Sequence, residues 1–191
     1  MQNRSKLAIF DMDGTLFDTK NVNYEAYCRA LKECGYDVKV DYTYYCNECN
    51  GLNYRKFLPM IIHDISSEDM EKIHERKKAV YAQFLDKARV NQHLFDMMNL
   101  IRSHYVIALV TTASRRNVSD ILKIFQVEDR FDFLITQEDV ENTKPDPQCF
   151  IKAMAKAGVD AKDTIIFEDS DVGIRAAELS GAHYVKVYGY N

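Results

Sequence analysis

The sequence predicts an α/β protein, a parallel-sheet core interrupted by a helical insert. Three observations predict it. Short continuous apolar runs at 7–10, 106–110, 133–135 and 165–167, with a last one at 184–187 broken by Lys186, suit strands covered on both faces. From about residue 94 these runs alternate with helical patterns, which is the order of βαβ units. The stretch from 17 to 89 breaks that alternation and carries helical spacing only.

Each element follows in turn. The run at 7–10 is the first strand. In the insert, Tyr24, Tyr27, Cys28 and Leu31 mark one helix, and Phe57, Leu58, Ile61 and Ile62 a second. Met70, Ile73, Val80, Tyr81 and Phe84 mark a third. Ser66 is its expected cap, with Asp69 reaching back in a capping box. Pro59 belongs in a first helical turn or at a kink. After the insert, Leu94, Met97, Met98 and Ile101 form a helix, then Val118, Ile121, Leu122 and Phe125, then Phe150, Ile151 and Met154. The expected division is a core of 1–16 and 90–191 with a helical cap at 17–89.

The 191 residues suffice for a hydrophobic core without staples. A net charge of −4 disfavours a nucleic-acid partner. No apolar run approaches the ~20 residues that span a bilayer, so no membrane partner is expected. The opening residues do not form a signal peptide. Five cysteines, an odd count without framework spacing, point to a reduced, cytoplasmic chain, and a monomer is the default. Cys46-Asn47-Glu48-Cys49 has the spacing of half a zinc site, but no second pair completes it.

Four sites of chemistry fall at or just after strand ends, where open α/β sheets bind ligands. In Asp11-Met12-Asp13-Gly14-Thr15, two carboxylates flank one residue. Extended backbone would aim them alike, and Gly14 lets the chain turn sharply. The same residues also read as an ordinary turn. In Thr111-Thr112-Ala113-Ser114, hydroxyls precede a helix N-terminus, as a phosphate site or an N-cap requires. In Thr143-Lys144-Pro145-Asp146-Pro147, Lys144 sits on a stiff loop, Pro147 suits a first helical turn and Asp146 its cap. There the lysine either neutralises anions or is merely solvated. In Phe167-Glu168-Asp169-Ser170, two acids end a strand. They either cap the following helix or, with phosphate and water, complete an oxygen set suited to Mg²⁺.

Taken together and in this order, the motifs resemble those of the haloacid dehalogenase superfamily, over nearly the whole chain. The helical insert between the first two motifs is similar to the cap of the subgroup holding β-phosphoglucomutases and phosphoglycolate phosphatases. The resemblance implies a Rossmann-like core and a Mg²⁺-dependent phosphatase acting on a small phosphorylated metabolite: a sugar phosphate, phosphoglycolate or nucleotide. It implies Asp11 as nucleophile and Asp13 as general acid/base, with its carbonyl on the metal. Thr111, the Thr112 N–H, Lys144 and Gly14 would hold phosphate, and Asp169 and Glu168 the metal with Asp11. Asp13 disfavours C–Cl and C–P cleavage, because family members with those activities lack an aspartate there. Family mutases carry arginine in a Gly-x-x-Arg stretch of the cap. Here Gly51-Leu52-Asn53-Tyr54-Arg55 puts tyrosine there and Arg55 one step late, a rotation of about 100° on a helix, which favours phosphatase over mutase. A non-catalytic phospho-ligand binder is the third reading, opposed by the complete catalytic set. Asn50, Tyr54, Arg55 and Lys77 are the cap candidates for specificity.

Overall fold

The computed structural model describes residues 4–188. In chain order its elements are β1 (Lys6–Phe10), β2 (Phe17–Asp18), α1 (Lys20–Glu33), α2 (Tyr42–Tyr44), α3 (Tyr54–Ile61), α4 (Ser67–Val80) and β3 (Arg89–Val90). Then follow α5 (Gln92–Ile101), β4 (Tyr105–Val110), α6 (Arg115–Ile124), β5 (Phe133–Ile135), α7 (Gln148–Ala157), β6 (Thr164–Glu168), α8 (Asp171–Ser180) and β7 (His183–Lys186). A π turn, Tyr45–Cys49, continues α2, and a 3-10 turn, Tyr81–Lys87, continues α4. Among the described residues, 4–18 and 89–188 form one compact unit, and 19–88 a second.

In the first unit five parallel strands run in the order β5-β4-β1-β6-β7. The parallel α/β core expected from the apolar runs is present. Leu7, Ile9, Ala108, Val110 and Ile166 pack one face against α7 and α8 through Phe150, Ala153, Ala176 and Ala177. Phe10 stacks on Phe167 with ring centroids 4.6 Å apart. The strands β2 and β3 pair antiparallel, Phe17 with Val90 and Asp18 with Arg89, and join the two chain segments of this unit.

One strand differs from expectation. All four residues of β7 are exposed, although its apolar run reads as buried. It is the last strand in the order, with only β6 beside it among the described residues. Apolar content alone does not tell an edge from a centre.

In the second unit α1, α3 and α4 bury Tyr27, Leu31, Phe57, Leu58 and Ile73 in a separate cluster with Tyr45 and Cys49. Ser66 caps α4 as expected, accepting the Asp69 N–H at 3.0 Å. The Asp69 carboxylate in turn accepts the Ser66 hydroxyl at 2.8 Å. Pro59 lies at the sixth position of α3, not in its first turn. It deprives the Arg55 carbonyl of a donor, and α3 ends two residues later. The five cysteines are unpaired thiols. Among the described residues no helix is long and apolar enough to cross a membrane.

His74 lies inside this second unit. It stacks on Tyr54 with centroids 4.0 Å apart, and its Nδ1 is 3.0 Å from the Tyr27 hydroxyl. Burial, then the charges of Lys78 and Lys77, lower its pKa from 6.5 to about 4. The unfolded chain therefore takes up the proton first. Its stabilising contribution is complete above pH 6.5 and is lost as pH falls towards 4. The ring is partly exposed, so the loss is discounted to about 1–2 kcal/mol. Urea unfolding of His74→Phe and wild type at pH 7.5 and 4.5 checks this. The variant is expected to gain about that much on wild type at the lower pH, and parallel behaviour would refute it.

Candidate active site

The site is built at the carboxyl ends of β1, β4 and β6, on either side of the central strand. Backbone ladders fix its members. The Asp11 N–H donates to the Phe167 carbonyl at 3.0 Å, and the Thr111 N–H to the Ile135 carbonyl at 3.0 Å. Each residue thus extends the sheet by one bond beyond its strand, and its side chain leaves the sheet at a set place.

Past Asp11 the chain turns at once. The Leu16 and Phe17 N–H groups both donate to the Met12 carbonyl, and the Gly14 N–H donates to the Phe17 carbonyl at 2.7 Å. Asp11 is buried, whereas Asp13 is half-buried and bridges Phe17. The carboxylates that come together are Asp11, Glu168 and Asp169, each offering an oxygen within 4.8 Å of the others.

Lys144 enters this cluster from the loop before α7. Its ammonium lies 2.6 Å from Asp11 Oδ1 and 2.7 Å from Glu168 Oε1, with 3% of its side chain exposed. The Lys144-Pro145 peptide is cis. Asp146 accepts the Gln148 N–H at 2.9 Å, while Pro147 itself occupies the cap position of α7, one place before the expected first turn. Burial pushes Asp11 well above the usual carboxylate range, Lys144 pulls it back, and Glu168 and Asp169 push it up again. Burial opposes the charge on Lys144, but Asp11 and Glu168 more than offset that and hold it above its ordinary value. Burial and the neighbouring Glu168 push Asp169 up to about 6.

Three carboxylates thus face one ammonium. Glu168 accepts three hydrogen bonds: Oε1 takes Lys144, and Oε2 takes the N–H and hydroxyl of Ser170 at 2.7 and 3.0 Å. Asp169 accepts the Thr15 hydroxyl at 2.9 Å. A buried, oxygen-only, electron-rich cluster is the donor set of a hard divalent cation such as Mg²⁺. Asp11 and Asp169 retain the most capacity to hold it, with Glu168 orienting Lys144 beside them.

Thr111 is buried, and its hydroxyl oxygen accepts the Ala113 N–H at 3.1 Å, which leaves its own proton to donate. Thr112 is exposed beside it. Ser114, not either threonine, caps α6. The first N–H of that helix is not open to a ligand, because Arg115 N donates to the Glu138 carboxylate at 2.9 and 3.1 Å.

Two glycines make room for the acids. Gly14 has φ +89°, and a Cβ there would lie 2.1 Å from Asp169 Oδ2. A Cβ on Gly173, in the first turn of α8, would lie 1.7 Å from Glu168 Oε1. Helix propensity alone favours Gly173→Ala by about 1 kcal/mol. The overlap reverses the sign, and a net loss of about 1–3 kcal/mol is expected in denaturant unfolding. A stabilised variant would mean that Glu168 can move aside.

Asn50, Tyr54, Arg55 and Lys77 all belong to the second unit. The Tyr54 hydroxyl donates to Glu71, and the Arg55 guanidinium reaches the Tyr54 oxygen and Glu71, each at 2.8 Å. Lys77 is buried, its ammonium 4.6 Å from the Tyr81 ring centre and 5.4 Å from that of Tyr27. The neighbouring Lys78 pairs with Glu75 at 2.7 Å. The Asn50 N–H closes the π turn on the Tyr45 carbonyl at 2.8 Å. Sequence reasoning passed over the Thr15 bond to Asp169 and the room that Gly173 leaves for Glu168.

The family model described as haloacid dehalogenase-like hydrolase matches residues 8–187. A phosphorylated carbohydrates phosphatase of Thermotoga maritima is 28% identical over 187 residues, covering 95% of this chain and 83% of the relative. A fructose-1-phosphate phosphatase of Escherichia coli is 27% identical over 184 residues, covering 94% of each. The fold is shared with CbbY from Rhodobacter sphaeroides, solved with phosphate, at a TM-score of 0.85 and 22% identity, covering 97% of this chain and 87% of that one. The chain belongs to the haloacid dehalogenase-like hydrolase family.

Proposed function

We propose that the protein is a Mg²⁺-dependent phosphatase that hydrolyses a small phosphorylated metabolite through an aspartyl-phosphate on Asp11. The observation that carries this is the buried Lys144 ammonium between Asp11 and Glu168, at 2.6 and 2.7 Å. Burial disfavours an ionised Asp11, and Lys144 is the side chain that holds it towards the charged, nucleophilic form. The relatives named as sugar-phosphate phosphatases support the substrate class.

In the first step an Asp11 oxygen bonds to phosphorus, and the P–O bond to the substrate alcohol breaks. Asp13, two residues on and half-buried, gives its proton to the leaving oxygen. In the second step Asp13 takes a proton from water, whose oxygen bonds to phosphorus as the Asp11–P bond breaks. The products are alcohol and inorganic phosphate, and both acids return to their starting states. The Thr111 hydroxyl, the Thr112 N–H and Lys144 hold the equatorial oxygens, where transition-state charge is spread. When bound, Mg²⁺ supplies charge neutralisation of the phosphoryl oxygens. The helical segment, expected from the sequence at 17–89 and compact over 19–88, is the substrate-selecting cap, with Asn50, Tyr54, Arg55 and Lys77 as its candidate contacts. The chain acts as a cytoplasmic monomer.

Phosphate release from a panel of phosphorylated sugars, phosphoglycolate and nucleotides, with Mg²⁺ and with chelator, tests the reading. Release that needs Mg²⁺ is expected. Isomerisation of β-glucose 1-phosphate without release would replace hydrolysis with mutase chemistry. Binding without turnover would make the protein a phospho-ligand binder.

A further inference from the structure

The loop that carries Thr111 and Thr112 is held in shape from outside, by the turn that follows β5. The Gln137 N–H donates to the Ala113 carbonyl at 3.1 Å. Glu138 accepts the Arg115 N–H, and Asp139 grips the Arg115 guanidinium at 2.6 and 2.7 Å. Thr136 is fully buried behind them. Its hydroxyl lies 2.9 Å from Glu138 and 3.0 Å from Asp139, and its N–H donates to Asp139 at 2.8 Å. Partial burial pushes both carboxyls up, but these donors more than offset it and hold both below the usual range. Both acids are therefore ionised at neutral pH, and neither takes part in the chemistry above.

We propose that Glu138 and Asp139 are positioning residues of the transfer site, fixing the loop so that the Thr111 hydroxyl and Thr112 N–H converge on the transferring phosphoryl group. This rests on the reading of the site as a phosphoryl-transfer centre. Two consequences follow from the geometry. The Ala113 N–H on the Thr111 oxygen fixes where that hydroxyl sits and leaves its proton to donate outward, and Ala113 is tied in turn to Gln137. The first turn of α6, where an anion would otherwise be drawn, already holds the chain's own carboxylate. Phosphate is thereby directed to Thr111 and Thr112 instead of the helix end.

The test is the affinity of the full chain for inorganic phosphate with Mg²⁺, by calorimetry, beside kcat and KM on the best panel substrate. Displacing the loop is expected to weaken phosphate binding about 10- to 100-fold in Glu138→Ala and Asp139→Ala, with melting still cooperative. Glu138→Gln is expected to stay within about threefold of wild type, because its amide oxygen accepts the same N–H. Arg115→Ala removes a side chain that is about half exposed and keeps the backbone N–H that Glu138 accepts. It should weaken binding as Asp139→Ala does, and it decides the matter if the other alanine variants do not fold. Affinities within about twofold of wild type across the set would overturn the inference while leaving the site reading intact. A wild-type protein that neither binds phosphate nor hydrolyses any ester would overturn the site reading, and this inference with it.

Discussion

Lys144→Met is expected to lower folding stability by about 3–5 kcal/mol and phosphatase turnover by at least about 10²- to 10³-fold. Methionine nearly matches the volume of lysine, so packing is little changed and the effect isolates the charge. Wild type buries Asp11 and Glu168 around one ammonium, with 3% of the lysine side chain exposed. Without it, two buried carboxylates and the neighbouring Asp169 face one another with no cation. Removing one member of a buried ion pair is far more destabilising than never having built it. The pH dependence follows with its sign. Burial already raises Asp11, and losing Lys144 removes the groups that lower it. A carboxyl whose folded pKa lies above its unfolded one destabilises the fold most where it is charged. The deficit of Lys144→Met should therefore shrink as pH falls from 7.5 to 5. Denaturant unfolding at both values measures it. A deficit below about 1 kcal/mol at pH 7.5 would show that the cluster does not depend on this charge.

The residues of this cluster were legible because each lies beside a recognisable strand end. A β-strand fixes direction, so an acid or lysine at its carboxyl end is placed by the sheet before any tertiary detail is known. Asp11, Thr111 and Glu168 follow from that rule, and Lys144 from the stiffness of its proline-flanked loop. Where the outcome turns on packing, the sequence was silent. The apolar run of β7 does not record that, among the described residues, only one strand lies beside it. Gln137-Glu138-Asp139 reads as a polar loop, because its partners are a backbone N–H and a guanidinium more than 20 residues away. The turn after Asp11 was signalled by Gly14, yet the convergence of two N–H groups on the Met12 carbonyl depends on how residues 16 and 17 fold back on it. Tyr54 and Arg55 looked like a choice between helical registers. In the structure both meet Glu71, a contact set by how α3 packs on α4.

Asp11→Asn is expected to reduce turnover by about 10⁴- to 10⁶-fold, the scale for removal of a covalent nucleophile, while leaving the protein as stable as wild type or more so. The substitution is nearly isosteric. The amide oxygen can still accept from Lys144, whose charge keeps Glu168 as partner. What disappears is a negative charge whose burial is the largest influence on its own titration. Catalytic groups held in such surroundings commonly lower stability, and replacing them commonly restores it. Lys144→Met and Asp11→Asn therefore separate two roles that activity alone would merge. If Lys144 serves the fold by compensating buried acids, its loss lowers stability and rate together. If Asp11 is there for chemistry, its loss lowers rate alone. An Asp11→Asn protein that turns over within about tenfold of wild type would remove Asp11 as the nucleophile. One that unfolds as readily as Lys144→Met would mean that the 2.6 Å pair is a structural tie, with the reacting group to be sought elsewhere at the strand ends.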